Sequence, residues 1–319
     1  MNKRIFWVKS FLSFKKFLLL FLASQILIII NIASTNSKAF LFNYKQKVNI
    51  INEFYAKYSR IFFGARGYEI NSYSNNITYS KKPNKLLLCT IGKNENLYAK
   101  EFIEYYYHLG FNKIIIFDNN EIFGEKFDDI LKDYISKKIV DIEDIRGLKS
   151  IQMAAINYCY RKNMYLYDWI AFFDFDEYLF LNNYSNIKHY LFNKEFEKCQ
   201  SILFNWYIYD DNNLLKYDNR RIVERFTHLK KITSLTKFIA RGNLNKLLIS
   251  SAHIAININY CNSKGELVYP KSYLELPKEN NSKAYIKHYY TKTAEEYCFK
   301  VRRGDVQFKY INPNKNQII

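Results

Sequence analysis

The chain has 319 residues, 49% of them hydrophobic, with 9 Gly and 4 Pro. That is enough apolar material for one large domain or two smaller ones, and too little Gly and Pro for long disordered linkers. A formal net charge of +18, from 48 Lys+Arg against 30 Asp+Glu, favours anionic partners, but it is spread along the chain without any helix-turn-helix, zinc-finger or RNP-type signature, so nucleic acid is not an expected partner.

At the N-terminus, Lys3, Arg4, Lys9, Lys15 and Lys16 precede an uncharged apolar run over residues 17–33. The run is at the short end of what spans a bilayer, and its basic flank keeps the N-terminus cytoplasmic. A signal peptide cleaved near Ser37-Lys38-Ala39 is the competing reading; the long basic segment fits an uncleaved anchor better. Residues 1–36 are therefore expected to form a membrane anchor, 37–84 a polar stalk, and 85–319 the catalytic domain.

From residue 85 the pattern becomes regular. Residues 86–91 are an apolar run of strand length. Asn94 can cap a helix in which Leu97, Phe102, Tyr105, Tyr106 and Leu109 recur at helical spacing, and Gly110 fits the position just past its end. A strand follows over 113–117, leading into Asp118-Asn119-Asn120. Next come a helix over 127–138, a short strand over 139–142, a helix over 150–163 and a strand over 169–173. Strand–helix alternation with short connections predicts an α/β fold, a mostly parallel sheet with helices on both faces. In such sheets ligands bind beyond the carboxyl ends of the strands. Three exits there are polar: Lys93-Asn94-Glu95, Asp118-Asn119-Asn120 and residues 174–177. Neither GxGxxG nor GxxxxGK[ST] occurs, so the usual phosphate loops are missing. Later, 187–198 reads as helical and 201–206 as a strand running into Tyr207-Ile208-Tyr209-Asp210-Asp211. Residues 220–260 mix short β-like pieces with basic residues. Thr293 and Glu296 make a capping box that opens a helix to about Arg303, with Gly304 as its stop.

The chemistry concentrates at residues 170–177, Ile-Ala-Phe-Phe-Asp-Phe-Asp-Glu. An apolar run of this kind makes an interior strand. Asp174, Asp176 and Glu177 at its exit would repel one another and lose hydration. A divalent cation resolves both problems, and carboxylate oxygens suit Mg²⁺ or Mn²⁺, which bridge protein carboxylates to substrate phosphates. The plain alternative for any isolated Asp-x-Asp is a solvated acidic turn.

The five cysteines, Cys89, Cys159, Cys199, Cys261 and Cys298, are odd in number and widely spaced, with no CxxC. Neither a zinc knuckle nor a redox pair is suggested, and we expect mostly buried free thiols, as in a reducing compartment.

Lys93-Asn94-Glu95, His108-Leu109-Gly110-Phe111, Asp118-Asn119, Gln152, Trp169 and Asp174-x-Asp176-Glu177-Tyr178-Leu179, in that order, resemble glycosyltransferase family 92 and its family-2-like bacterial relatives. The stretch from His288-Tyr289-Tyr290 through Glu295-Glu296-Tyr297 to Lys300-x-x-Arg303-Gly304 resembles the same family's closing segment. The resemblance implies a GT-A fold, a Rossmann-like nucleotide-binding half, a UDP-sugar donor, a divalent metal and inverting transfer to a glycan or glycolipid. It also implies that Lys93, Asn94, Glu95, Asp118 and Asp174 contact the nucleotide-sugar, and that Asp174, Asp176 and His288 hold the metal. Phe175 departs from the Ile or Val more often found between the two aspartates, and the section after Trp206 matches loosely.

An inverting transferase also needs a carboxylate to deprotonate the acceptor. Asp210, Asp211 and Glu224 follow the acid cluster at suitable distance in the chain. A reading from another class is a non-catalytic, membrane-tethered protein that binds anionic lipid or nucleic acid through its basic surface.

Overall fold

The computed structural model describes residues 85–269, 278–279 and 282–304. The expected anchor (1–36) and stalk (37–84) lie outside the described residues. No described helix is long and apolar enough to cross a membrane.

In chain order the elements are β1 (Leu86–Gly92), α1 (Asn96–Leu109), β2 (Lys113–Asp118), α2 (Phe127–Ile130), α3 (Lys132–Ser136), β3 (Val140–Asp144) and α4 (Gln152–Asn163). They continue with β4 (Trp169–Phe172), β5 (Glu177–Leu181), α5 (Ile187–Leu191), β6 (Ser201–Tyr209), α6 (Ile222–Arg225) and β7 (Leu229–Arg241). The short strands β8 (Leu248–Ile249), β9 (Ala255–Ile256), β10 (Tyr260–Cys261) and β11 (Leu267–Val268) precede β12 (Ala284–His288) and α7 (Ala294–Arg303).

Among the described residues one sheet runs in the order β11-β10-β6-β7-β4-β1-β2-β3, with β12 joining β6 to β5. Strands β3, β2, β1 and β4 are parallel, as expected. Beyond β4 the sheet turns mixed: β7 is antiparallel to both β4 and β6, and β12 is parallel to β6 but antiparallel to β5. The expectation of a mostly parallel sheet is corrected to that extent. The reason is local: β4 leads into a tight acidic turn and β5 instead of a crossover helix, and β6–β7 is a hairpin pairing, which forces antiparallel neighbours.

Helices do cover both faces. Leu86 and Leu88 of β1, with Ile114 and Ile116 of β2, share a buried cluster with Phe102, Ile103 and Tyr106 of α1. The alternate residues face α4, where Phe117 meets Tyr158 at 6.2 Å and Cys89 is bonded to Cys159. Period-2 alternation with both faces apolar is what a doubly covered strand requires.

Several expected details differ. Helix α1 starts at Asn96 with Glu95 as its cap residue, and Glu95 makes no side-chain cap bond; Asn94 takes φ 51° instead. Gly110 closes the helix at φ 112°, where a Cβ would be strained and would also meet the Asn186 side chain at 2.6 Å. The helix expected over 127–138 is broken at Leu131, which is fully buried and has φ −112°. Two disulfides, Cys89–Cys159 and Cys199–Cys261, replace the expected free thiols; among the described residues Cys298 is the free, exposed cysteine. Partners 70 and 62 residues apart leave no spacing signal in a sequence, because only the folded sheet brings them together.

Candidate active site

The parallel strands β1, β2 and β4 deliver their exits to one edge of the sheet, and the acid turn sits there. Glu177 N–H donates to Asp174 O (3.0 Å), and Asp174 N–H donates back to Glu177 Oε2 (3.0 Å), so the turn closes on itself. Phe175 anchors it from within. Its ring stacks on Phe127 at 5.3 Å and packs against Phe102 at 4.7 Å. Gly92, at the end of β1, lies beneath: a Cβ there would fall 2.5 Å from Phe127 Cζ and 2.7 Å from Phe175 Cε2. The departure from a smaller residue between the two aspartates is thus accommodated by a glycine. With Phe175 pinned inward, Asp174 remains partly exposed while Asp176 and Glu177 are buried.

Buried carboxylates need counter-charge. Lys237, on β7 and itself buried, lies 2.6 Å from Asp174 Oδ2 and 3.3 Å from Glu177 Oε2. Lys300, on α7, lies 2.6 Å from Asp176 Oδ2. His288, the last residue of β12, places Nε2 3.7 Å from Asp176 Oδ1. Beside them, Glu95 pairs with Arg303 at 2.5 Å and with Lys292 at 3.6 Å.

These contacts set the protonation states. Burial would raise Asp176, but the Lys300 ammonium foremost outweighs it and holds that carboxyl well below the usual range. Glu177 goes the other way: burial dominates, and the nearby Asp174 and Asp176 add to it against the opposing pull of Lys237. Burial also lowers His288 despite the neighbouring Asp176, which keeps the imidazole neutral, the form that binds metals. For Lys237 the two carboxylates overcome the effect of burial and keep the ammonium charged.

Asp176, Glu177 and His288 bring ligand atoms to within 4.8 Å of one another. Glu177 Oε1 and His288 Nδ1 are buried without a hydrogen-bond partner. Two carboxylates with an imidazole form a donor set suited to Mn²⁺-type ions, and the orphaned Glu177 oxygen is the kind of group such an ion would satisfy. The residues therefore fit a divalent cation.

A family model for glycosyltransferase family 92 matches residues 86–317, which takes in every part of this site. The chain belongs to glycosyltransferase family 92. A family 92 protein of Ricinus communis is 25% identical over 108 residues, 34% of this chain and 19% of that protein. The chain thus spans about a fifth of the curated relative it matches. Among solved structures, Staphylococcus aureus TarS (residues 1–349, with UDP) is 12% identical, covering 49% of this chain and 46% of that one, at a TM-score of 0.33. A mannosyltransferase from Pyrobaculum calidifontis, in complex with GDP-Man and Mn²⁺, is 9% identical, covering 48% and 45%, at a TM-score of 0.29.

The residues singled out from the family 92 resemblance fall into two groups. Asp174, Asp176, His288 and Glu95 lie in the charged cluster just described. Lys93 borders it: its ammonium pairs with Glu121 at 3.1 Å, and its carbonyl accepts from Arg303. Asn94 N–H donates to Asn120 Oδ1 (2.6 Å). The Asp118 carboxylate accepts from the backbone N–H groups of Asn120 (3.0 Å) and Phe127 (3.2 Å), organising the β2 exit; burial pushes it up to about 6. The three acids considered as bases lie apart. Asp211 accepts from Asn213 N–H (2.9 Å) in a turn. Glu224 is exposed on α6 and accepts from Arg221 N–H (3.3 Å). Asp210 is nearer, two residues past Ile208, which pairs with His288 across β6 and β12. Its Oδ2 lies 2.6 Å from His228 Nδ1.

Sequence reasoning gave no site role to Lys237, Lys292 or Lys300, although Lys300 stands in the family-like closing segment, and it left Glu177 out of the metal set. Lys237 left one signal: it stands between Thr236 and the apolar run Phe238-Ile239-Ala240, and a lone lysine in a buried strand needs a partner. Trp206 also acquires a place. A register shift in β6 between Asn205 and Tyr207 sets its ring 4.1 Å from His288 and 4.9 Å from His253, the re-aiming a bulge provides beside a site.

Proposed function

We propose that this chain is a metal-dependent inverting glycosyltransferase that moves a hexose, with galactose the first to test, from a UDP-sugar to a glycan or glycolipid acceptor. Its family membership sets the class. The observation that carries the finer reading is the Asp176–Glu177–His288 donor set at the strand exits, with an orphaned carboxylate oxygen and Lys237 and Lys300 beside it.

A bound Mn²⁺ or Mg²⁺ would neutralise charge on the departing diphosphate. Asp176, kept ionised, and His288, kept neutral, are ready to ligate without a proton change. Glu177, paired with Lys237, supplies the third ligand of the set. Lys292 and Arg303 stand beside Glu95 at the entrance expected for the nucleotide, where cations favour a diphosphate. Asp174, bound to Lys237, faces the more open side of the turn and is the carboxylate we assign to the ribose.

For the acceptor we place proton removal on the Asp210–His228 pair. Burial works to raise Asp210, but the His228 hydrogen bond leads the effects that hold it below the usual range. So held, Asp210 serves best as an orienting acceptor for Nδ1–H, which leaves the other ring nitrogen of His228 to take the proton.

Two disulfides in one domain belong to an oxidising compartment. With a cytoplasmic N-terminal flank, we propose that the catalytic part lies on the far side of the membrane. The rival reading, an anion-binding tether, gains nothing from a centre built on four carboxylates, Glu95, Asp174, Asp176 and Glu177.

The test is UDP release by the full chain across a panel of UDP-sugars, with Mn²⁺ or with EDTA. Release from one donor that EDTA abolishes is the expected result. No release from any donor, with no UDP–Mn²⁺ binding by calorimetry, would reject the reading.

A further inference from the structure

We propose that Lys300 is an exchangeable stand-in cation. It neutralises Asp176 while no divalent ion is bound and passes to the donor's diphosphate when one is, so that α7 couples metal binding to nucleotide binding. This rests on the functional reading above and concerns the regulation of that site.

The Lys300 ammonium lies 2.6 Å from Asp176 Oδ2, on the carboxylate whose other oxygen faces His288 at 3.7 Å. A metal ion taking Asp176 would meet that ammonium at close range. Two cations on one buried carboxylate repel strongly where the dielectric is low, so Lys300 must leave.

It has a route out. Its side chain is 22% exposed, its ammonium already donates to Tyr290 O (3.2 Å), and it lies 3.9 Å over the Tyr290 ring, a side chain that is itself exposed. Rotation of the flexible four-carbon stem carries the charge from Asp176 toward this open side. Helix α7 need not move, because it is held by other residues: Glu296 by Arg225 at 2.7 Å and by Tyr98 at 2.8 Å, and Arg303 by Glu95. The other two lysines of the cluster lack this freedom. Lys237 spans two carboxylates with a side chain 2% exposed, and Lys292 is 4% exposed.

A divalent ion therefore binds against Lys300, and a diphosphate offsets that cost by accepting the displaced ammonium. By linkage, each ligand tightens the other, and part of that coupling runs through Lys300.

The experiment is calorimetric Mn²⁺ titration of the full chain, without and with UDP, for wild type, Lys300→Met and Asp176→Asn, with circular-dichroism melts as a fold control. Lys300→Met is expected to bind Mn²⁺ alone about tenfold tighter than wild type, and UDP then to raise its Mn²⁺ affinity by a smaller factor than in wild type. Unchanged or weaker Mn²⁺ binding by Lys300→Met, or undiminished coupling to UDP, overturns the proposal. Should Lys300→Met melt well below wild type, Lys300→Gln, which keeps a donor for the Tyr290 carbonyl, takes its place under the same criteria. Asp176→Asn separates this inference from the reading beneath it. If that variant alone loses Mn²⁺ binding, the metal site stands whatever Lys300 does. Wild type that binds no Mn²⁺ with or without UDP overturns both.

Discussion

Asp176 and Lys237 are the two residues on which the site's charge balance turns. Asp176 stays ionised because Lys300 foremost outweighs its burial. Asp176→Asn removes that charge and leaves Lys300 without its anion. UDP release is expected to fall at least about a hundredfold with the circular-dichroism spectrum unchanged; a variant with full turnover would take Asp176 out of the proposed metal site. Lys237 is a different case, because its role is to hold the turn. Lys237→Met strands Asp174 and Glu177, and removing one partner of a buried ion pair costs about 3–5 kcal/mol. Urea unfolding should show a loss of that order. A shift under about 1 kcal/mol, the range of exposed pairs, would mean the pair is solvated.

At the scale of elements, α7 fastens the end of the described chain to the start of the catalytic sheet. Its capping box, Thr293 with Glu296, is also an ion-pair hub, since Glu296 binds Arg225 and Tyr98. Burial would raise Glu296, but Arg225, Thr293 and Tyr98 together bring it to about 2, from an ordinary value of 4.5. A carboxyl depressed in the folded state stabilises above its unfolded pKa, and that contribution disappears as pH falls through the folded one. Glu296 should therefore supply about 3 kcal/mol above pH ~4.5 and lose it toward pH ~2. Asp118, raised to about 6, has the opposite sign: its ionisation opposes folding, and stability from it declines as pH rises from ~4 to ~6. Urea midpoints of wild type and Glu296→Gln should differ clearly at pH 6 and converge near pH 2. A gap that stays constant with pH would show that the carboxylate is not held ionised by its partners.

For the whole molecule the disulfides matter most. Cys89–Cys159 ties β1 to α4 on the sheet face away from α1, and Cys199–Cys261 ties the segment before β6 to β10. Closing loops of 70 and 62 residues stabilises by about 4 kcal/mol each on chain-entropy grounds. Protein kept in reductant should unfold at markedly lower urea concentration than oxidised protein. Equal midpoints, or full alkylation of the native protein without reduction, would show the cysteines to be free. The mixed sheet works at the same scale: the antiparallel strands β5, β6 and β7, with β12, bring His288 and Lys237 to the edge that the parallel half prepares.

Local features were legible in the sequence. The apolar alternation of residues 86–91, the helical spacing ended by Gly110, the acidic exit after β4 and the Thr293–Glu296 box all rest on interactions within a few residues, where backbone sterics and burial patterns decide. What only the tertiary structure decided is which groups meet. Lys300 reaches Asp176 across 124 residues, and Lys237 reaches Asp174 across 63. The cysteines pair over comparable spans, and β7 lies antiparallel between β4 and β6. None of these contacts has a local preference behind it. Each is chosen by the one strand order that buries the apolar faces, and the charges at the sheet edge then find their partners within that frame.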